Sequence, residues 1–275
     1  MANSKSSSKL LQLPRELRDD LYTYFLHARK PPPPNPSFPG SRIWRDDIAH
    51  PGHYSSWRWP NLVWVNRQIR NEYFELVEEL SKSHQHKAEL DIMSKGYVLY
   101  PTWVYLPPDL PGEHPFDLTV YLRIFSTEAY RCNDGWPRQP GSGFRCLLRL
   151  LNQLVHHGPS FGHHLELLRG RWLFAINRLS VHISFHDDYT PATWPETAHQ
   201  IFRMLKALAV DGMAKDVIRT IHAHTEYQEN GNGKLVIYDR EWEVSSSYNE
   251  DKASEWRETG FLSRFQRTLS DDYRQ

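Results

Sequence analysis

Cysteine is nearly absent: Cys132 and Cys146 are the only two in 275 residues. A chain of this length can bury a sizeable core without covalent staples. A disulfide scaffold is therefore not expected, and reduced thiols in an intracellular protein are. Neither sign of charge is in excess, because 33 Lys and Arg balance 33 Asp and Glu. No global field draws the chain to nucleic acid or to an anionic membrane. No apolar run reaches the length needed to span a bilayer. The opening Met1 to Lys9 is rich in Ser and Lys with no apolar core behind it, so it is not expected to be a secretory signal. Cytoplasm or nucleus is the expected compartment. A phosphate loop, a dinucleotide glycine fingerprint and a nucleophile elbow are all missing, and Gly141-Ser142-Gly143 is too short to stand for one. No catalytic signature is found, and no cofactor is expected.

What is present begins with Leu11 to Leu26, LQLPRELRDDLYTYFL. Pro14 lacks an N–H and has a fixed backbone angle, which suits the first turn of a helix. Leu17, Leu21, Tyr24 and Phe25 then recur at helical spacing as an apolar stripe, with Arg15, Arg18, Asp19 and Asp20 expected to stay solvated at its sides. A second helix is predicted from Pro60 and Asn61, with Asn61 as its N-cap. Its stripe is Leu62, Val65, Ile69, Tyr73, Leu76 and Leu80.

Two runs in these helices carry a resemblance. Leu10, Leu13, Pro14, Glu16, Leu17, Arg18, Tyr22 and Tyr24 are followed by Val65, Asn66, Arg67, Gln68, Ile69, Arg70 and Glu72. The pattern resembles the F-box-like N-terminus of a group of fungal proteins and covers roughly the first third of the chain. One departure from it is the insertion of Ala28 to Pro60 between the halves. The resemblance implies a helical module that binds a Skp-type adaptor of a cullin ubiquitin ligase. Here that contact would fall on Leu13, Pro14 and Leu17, rimmed by Glu16 and Arg18. The alternative is that the same leucines are core of the chain's own domain.

The insertion opens with Pro31 to Pro34 and Pro36, an extended stretch that serves either as a spacer or as a ligand for aromatic-lined grooves. Its second half carries Trp44, Tyr54, Trp57 and Trp59 and is expected to lie on the domain. Strands follow: Ala88 to Met93, a turn at Lys95-Gly96, then Tyr97 to Leu106 with Pro101 marking an edge or a bulge. Phe116 to Phe125 alternates cleanly, with Leu118, Val120, Leu122 and Ile124 on one face. A helix carries Phe144, Leu147, Leu148, Leu151, Leu154 and Val155. A strand has Leu179, Val181, Ile183 and Phe185 on one face. Pro195 starts a helix whose buried face runs from Ala198 to Ala209 before Gly212. Val217 to Tyr227 and Lys234 to Val244 form a hairpin about Asn230-Gly231-Asn232-Gly233. Glu255 to Leu269 reads as a closing helix.

Fifteen histidines raise a second function. His182 and His186 share a strand face, as do His222 and His224, and four converging imidazoles with Glu226 nearby would suit a transition metal. The reading that competes with it is a wet sheet face. Taken together, the expected class is α+β, with F-box-like helices packed on a mixed sheet with covering helices, a parallel core and antiparallel edges. Residues 1–9 read as a disordered tail, 10–87 as a helical part with the Pro-rich insertion 28–60, and 88–275 as the α+β domain forming one compact unit with it. The expected function is a non-enzymatic interaction protein, possessing neither nucleic-acid nor membrane affinity. A metal-binding protein or metal-dependent enzyme built on the histidine face is the alternative.

Overall fold

Apolar residues at a two-residue period make the centre of a mixed sheet. A computed structural model of the chain describes residues 9–37, 42–45, 47–51, 66–83, 87–107, 115–130, 141–157, 174–186, 193–215, 217–228 and 235–247, with positions 249, 251, 252 and 256. The first helix, α1, spans Arg15–Leu26. Two short strands follow, β1 (Arg42–Arg45) and β2 (Ile48–Pro51), then α2 (Arg67–Ser83), β3 (Lys87–Lys95), β4 (Val98–Tyr105) and β5 (Phe116–Ile124). The chain continues as α3 (Ser142–His157), β6 (Ile176–Phe185), α4 (Trp194–Val210), β7 (Ile218–Gln228) and β8 (Leu235–Glu243). The fold is α+β. Among the described residues no helix is long and apolar enough to cross a membrane.

Among the described residues eight strands form one sheet in the order β1-β2-β4-β3-β5-β6-β7-β8. Strands β3, β5, β6 and β7 run parallel, while β4 and β8 flank them as antiparallel partners of β3 and β7. The parallel core with antiparallel additions expected from the alternation of strands and helices is therefore present. Register carries the apolar residues across the sheet in straight rows. Leu90, Val120, Val181 and Ala223 lie side by side, as do Ala88, Leu118, Leu179 and Ile221. Helices α3 and α4 lay Leu147, Leu151, Leu154, Ile201, Leu205 and Leu208 over these rows in one buried cluster. Both connect parallel strands, and both cover the same face.

Pro101 sits where an absent N–H does least harm. Strand β2 meets β4 at one register pair, Ile48 with Leu99. Beyond it the Pro101 carbonyl accepts from the Arg42 guanidinium at 2.6 Å. The irregularity in the pairing of β3 with β4 falls at Glu89/Leu90, not at the proline. The expected turn at Lys95-Gly96 is formed, with Gly96 at φ +57. Gly212 follows α4 at φ +67, and a Cβ there would collide with the Ser247 carbonyl. The predicted insertion contributes β1 and β2 to the sheet, with Ile48 fully buried in the main core, while Tyr54, Trp57 and Trp59 lie outside the described residues.

Helices α1 and α2 have a separate core of Tyr22, Leu26, Ile69, Tyr73 and Val77. Tyr22 and Tyr73 meet edge to face with centroids 6.0 Å apart. Helix α2 is described from Arg67. Asn66 caps the described helix, with Oδ1 accepting from the Gln68 N–H at 2.7 Å, and the expected cap Asn61 lies outside the described residues. The helical pair joins the sheet through His27 stacked on Tyr105, Arg29 paired with Glu89 at 2.7 Å, and the Lys30 N–H donating to the Val104 carbonyl at 2.8 Å. The tail at 1–8, the Asn230–Gly233 turn and most of the predicted closing helix lie outside the described residues. Trp256 is buried, and its Nε1–H donates to Asp211 at 3.0 Å beneath the end of α4.

Candidate functional site

Two surfaces bear on function. The first is α1, where the residues four apart on one side are Arg18, Tyr22 and Leu26, and all three are buried. Arg18 was expected at a solvated rim; it is instead withdrawn between the helices. Its Nε–H and Nη2–H donate to the two oxygens of Glu72 at 2.8 and 2.7 Å, and its Nη1–H donates to the Leu13 carbonyl. Tyr22 and Gln68 add their own donors to the same carboxylate, at 3.0 and 2.8 Å. Burying a charge is unfavourable unless it is paired and its remaining sites are bonded, and Glu72 meets both conditions. The Arg18 hydrogen bond comes first among the causes that hold the Glu72 carboxyl down at about 2, and burial pushes the Tyr22 hydroxyl up to about 12. The two halves of the sequence motif thus meet in one ion pair. The bond to Leu13 also fixes the Leu-Pro corner that begins α1.

With that side turned inward, the stripe read from the sequence faces out. Leu17 is 49 % exposed, Leu21 39 %, Tyr24 71 % and Phe25 47 %. These residues are not core, so Leu17 does not serve the chain's own domain as the alternative reading expected. Pro14 and Glu16 are also exposed, and Leu13 is half-buried. Of the five residues singled out as a contact surface, Pro14, Glu16 and Leu17 lie on it, Leu13 lies at its edge, and Arg18 lies beneath it.

The second surface is the sheet face not covered by α3 and α4. His182 pairs in register with His224, and the two rings approach to 5.6 Å between centroids, with His222 6.1 Å from His182. Tyr121 on β5 packs against His182 at 5.5 Å. Three of the four histidines therefore come together. His186 does not: it stacks on Phe125 at 5.1 Å and lies 3.1 Å from the Ser184 hydroxyl. The carboxylate that joins them is Asp239, not Glu226, with oxygens 3.0 Å from His222 Nε2 and 3.1 Å from His224 Nδ1. Asp239 was findable in the sequence, since folding β7 and β8 about the middle of Asn230–Gly233 places it opposite His224.

The metal expectation for His182, His186, His222 and His224 is not met. Among the described residues no group of three or more His, Cys, Asp or Glu is arranged to hold a metal ion. The physical reason is visible in the rings. His222 and His224 each aim a nitrogen at Asp239, and His182 meets them as a neighbouring ring at 73° and 51°. A half-buried cluster of imidazoles results. Burial, and then the charges of His224 and His222, hold His182 below the ordinary imidazole range.

The unfolded chain takes up a proton at position 182 near pH 6.5 while the folded chain resists it, so this group destabilises the fold as pH falls through that range. Replacing His182 and His222 together by Ala is expected to change the melting temperature by no more than about 2 °C at pH 7.5, as for changes outside a core. Calorimetry checks it. A loss comparable to that from a core truncation would show that the rings are structural.

The sequence was compared with family models, with curated proteins and with solved structures, and none of the three comparisons finds a match for this chain.

Proposed function

We propose that the chain is a non-enzymatic protein-interaction module acting in the cytoplasm or nucleus, whose N-terminal helices bind a Skp-type adaptor as F-box-like helices do. In that role it is a substrate-recognition subunit of a cullin-type ubiquitin ligase, and the α+β body meets the target. The observation that carries the reading is the outward face of α1. Leu17, Leu21, Tyr24 and Phe25 are exposed together while Arg18 and Glu72 lock the helix beneath them. Large apolar groups carried at a surface on a fixed helix suit docking, since little backbone freedom remains to be lost on binding. Leu13, Pro14, Glu16 and Leu17 are the contact residues on this reading.

The test is a calorimetric titration of the full chain with the purified adaptor. Wild type is expected to bind at micromolar concentration or tighter. Leu17→Asp is expected to weaken binding at least tenfold with an unchanged melting temperature, because a carboxylate near a helix N-terminus does not oppose the helix. Failure of wild type to bind at micromolar concentration removes the ligase assignment.

A further inference from the structure

We propose that the uncovered sheet face around Arg123 is a binding site for extended proline-rich peptide, and that the Pro31–Pro34 run occupies it as the chain's own ligand. Asp91 is 2 % exposed and lies on β3 beside β5. Burying a carboxylate is unfavourable unless it is paired and hydrogen-bonded, and Arg123 pairs it, with Nε–H and Nη2–H donating to the two Asp91 oxygens at 2.7 Å each. The clamped guanidinium has N–H groups left over. Nη2–H also donates to the Pro33 carbonyl at 2.6 Å, and Nη1–H to the Pro34 carbonyl at 3.1 Å.

The chemistry fits a proline-rich strand specifically. Proline has no N–H, and an extended polyproline chain makes no internal hydrogen bonds, so its backbone offers acceptors alone. A receptor must supply donors, and a guanidinium is all donors. Because Asp91 already immobilises Arg123, little side-chain entropy remains to be lost. Aromatic groups flank it on the same strand face. Tyr121 is two residues before, and the Phe125 ring centroid lies 5.8 Å from the Arg123 guanidinium carbon. Polyproline recognition commonly uses grooves lined by aromatic rings, and Tyr121 and Phe125 are the rings beside this guanidinium, themselves packed on His182 and His186. The run is also anchored at both ends, by the Lys30 to Val104 bond and by the buried Pro36. It is not a spacer crossing solvent.

A tethered ligand competes at an effective concentration of about millimolar, so the site in the intact chain is largely filled. The experiment uses a fluorescent peptide of residues 31–37, PPPPNPS, and the full chain with Pro31–Pro34 and Pro36 replaced by alternating Gly and Ser. The replaced chain is expected to bind the peptide at least tenfold more tightly than wild type. Adding Arg123→Lys to it is expected to weaken binding at least tenfold, because one ammonium cannot serve Asp91 and two carbonyls in this plane. Equal binding by wild type and the replaced chain, or equal binding of a peptide with alanine for proline, overturns the proposal. A second measurement uses the unaltered chain and does not depend on that variant folding. Millimolar unlabelled peptide is expected to speed tryptic cleavage after Arg29 at least threefold as it displaces the segment, and an unchanged rate overturns the proposal equally.

Discussion

Replacing Glu72 by Gln is expected to destabilise the α1–α2 pair by about 3 kcal/mol, the lower end of what breaking a buried ion pair costs. The change is nearly isosteric, so packing alone does not account for the loss. It removes the charge that Arg18 faces, and a second amide beside Gln68 must then share the Arg18 and Tyr22 donors. Hydrogen exchange of the α1 amides reads this directly, with protection falling about a hundredfold for that free energy. Acid provides the same test in the unaltered chain. The folded carboxyl is held near 2, well below its unfolded value of 4.5. Its contribution is therefore fully present above about pH 4.5 and is lost as pH falls toward 2. Glu72→Gln should abolish that part of the acid dependence, and an equally steep loss in the variant would assign it to other groups.

The second large effect lies in the main core. Ile183→Ala and Leu151→Ala are each expected to lower the unfolding free energy by about 2–5 kcal/mol, since the vacated volume is only partly refilled. Ile183 stands in register between Leu122 and Thr225, and both it and Leu151 are buried. Thr225 supports the row differently, its hydroxyl donating to the Ile183 carbonyl at 2.9 Å. Urea denaturation checks the values. A change below about 0.5 kcal/mol, as for an exposed residue, would mean that α3 does not close over this part of the sheet.

Much of the body was readable because its signals are strong and local. Strand β5 alternates over nine residues, and each inward side chain, from Leu118 to Ile124, is fully buried. The stripes of α3 and α4 and the hairpin of β7 and β8 were legible for similar reasons, the last through glycine-tolerant turn chemistry. Strands β1 and β2 were not, since four residues each are too few to show a period. Their pairing depends on a turn at Asp47, which has φ +63.

The helical pair shows where periodicity runs out. Helix α1 carries apolar residues on more than one side, and hydrophobicity alone cannot choose which side meets a neighbour. Tyr22 and Leu26 turn inward because Arg18 on the same side finds Glu72, a partner 54 positions away. A charge in the sequence reads as solvated until its partner is placed, and the same holds for Arg123 with Asp91. Asp91 did leave a trace, as an acid set between Leu90 and Ile92 in a strand. The histidine cluster was half legible. Strand parity put His182, His222 and His224 on one face, but the position of His186 at the strand end and the nitrogens turned toward Asp239 needed coordinates.

The most direct measurement is hydrogen exchange of the full chain, alone and saturated with the Skp-type adaptor. Slowed exchange between Glu16 and Phe25, with β5, β6 and β7 unchanged, is the predicted result. Protection confined to the sheet face, or none on α1 at saturating adaptor, would contradict the account.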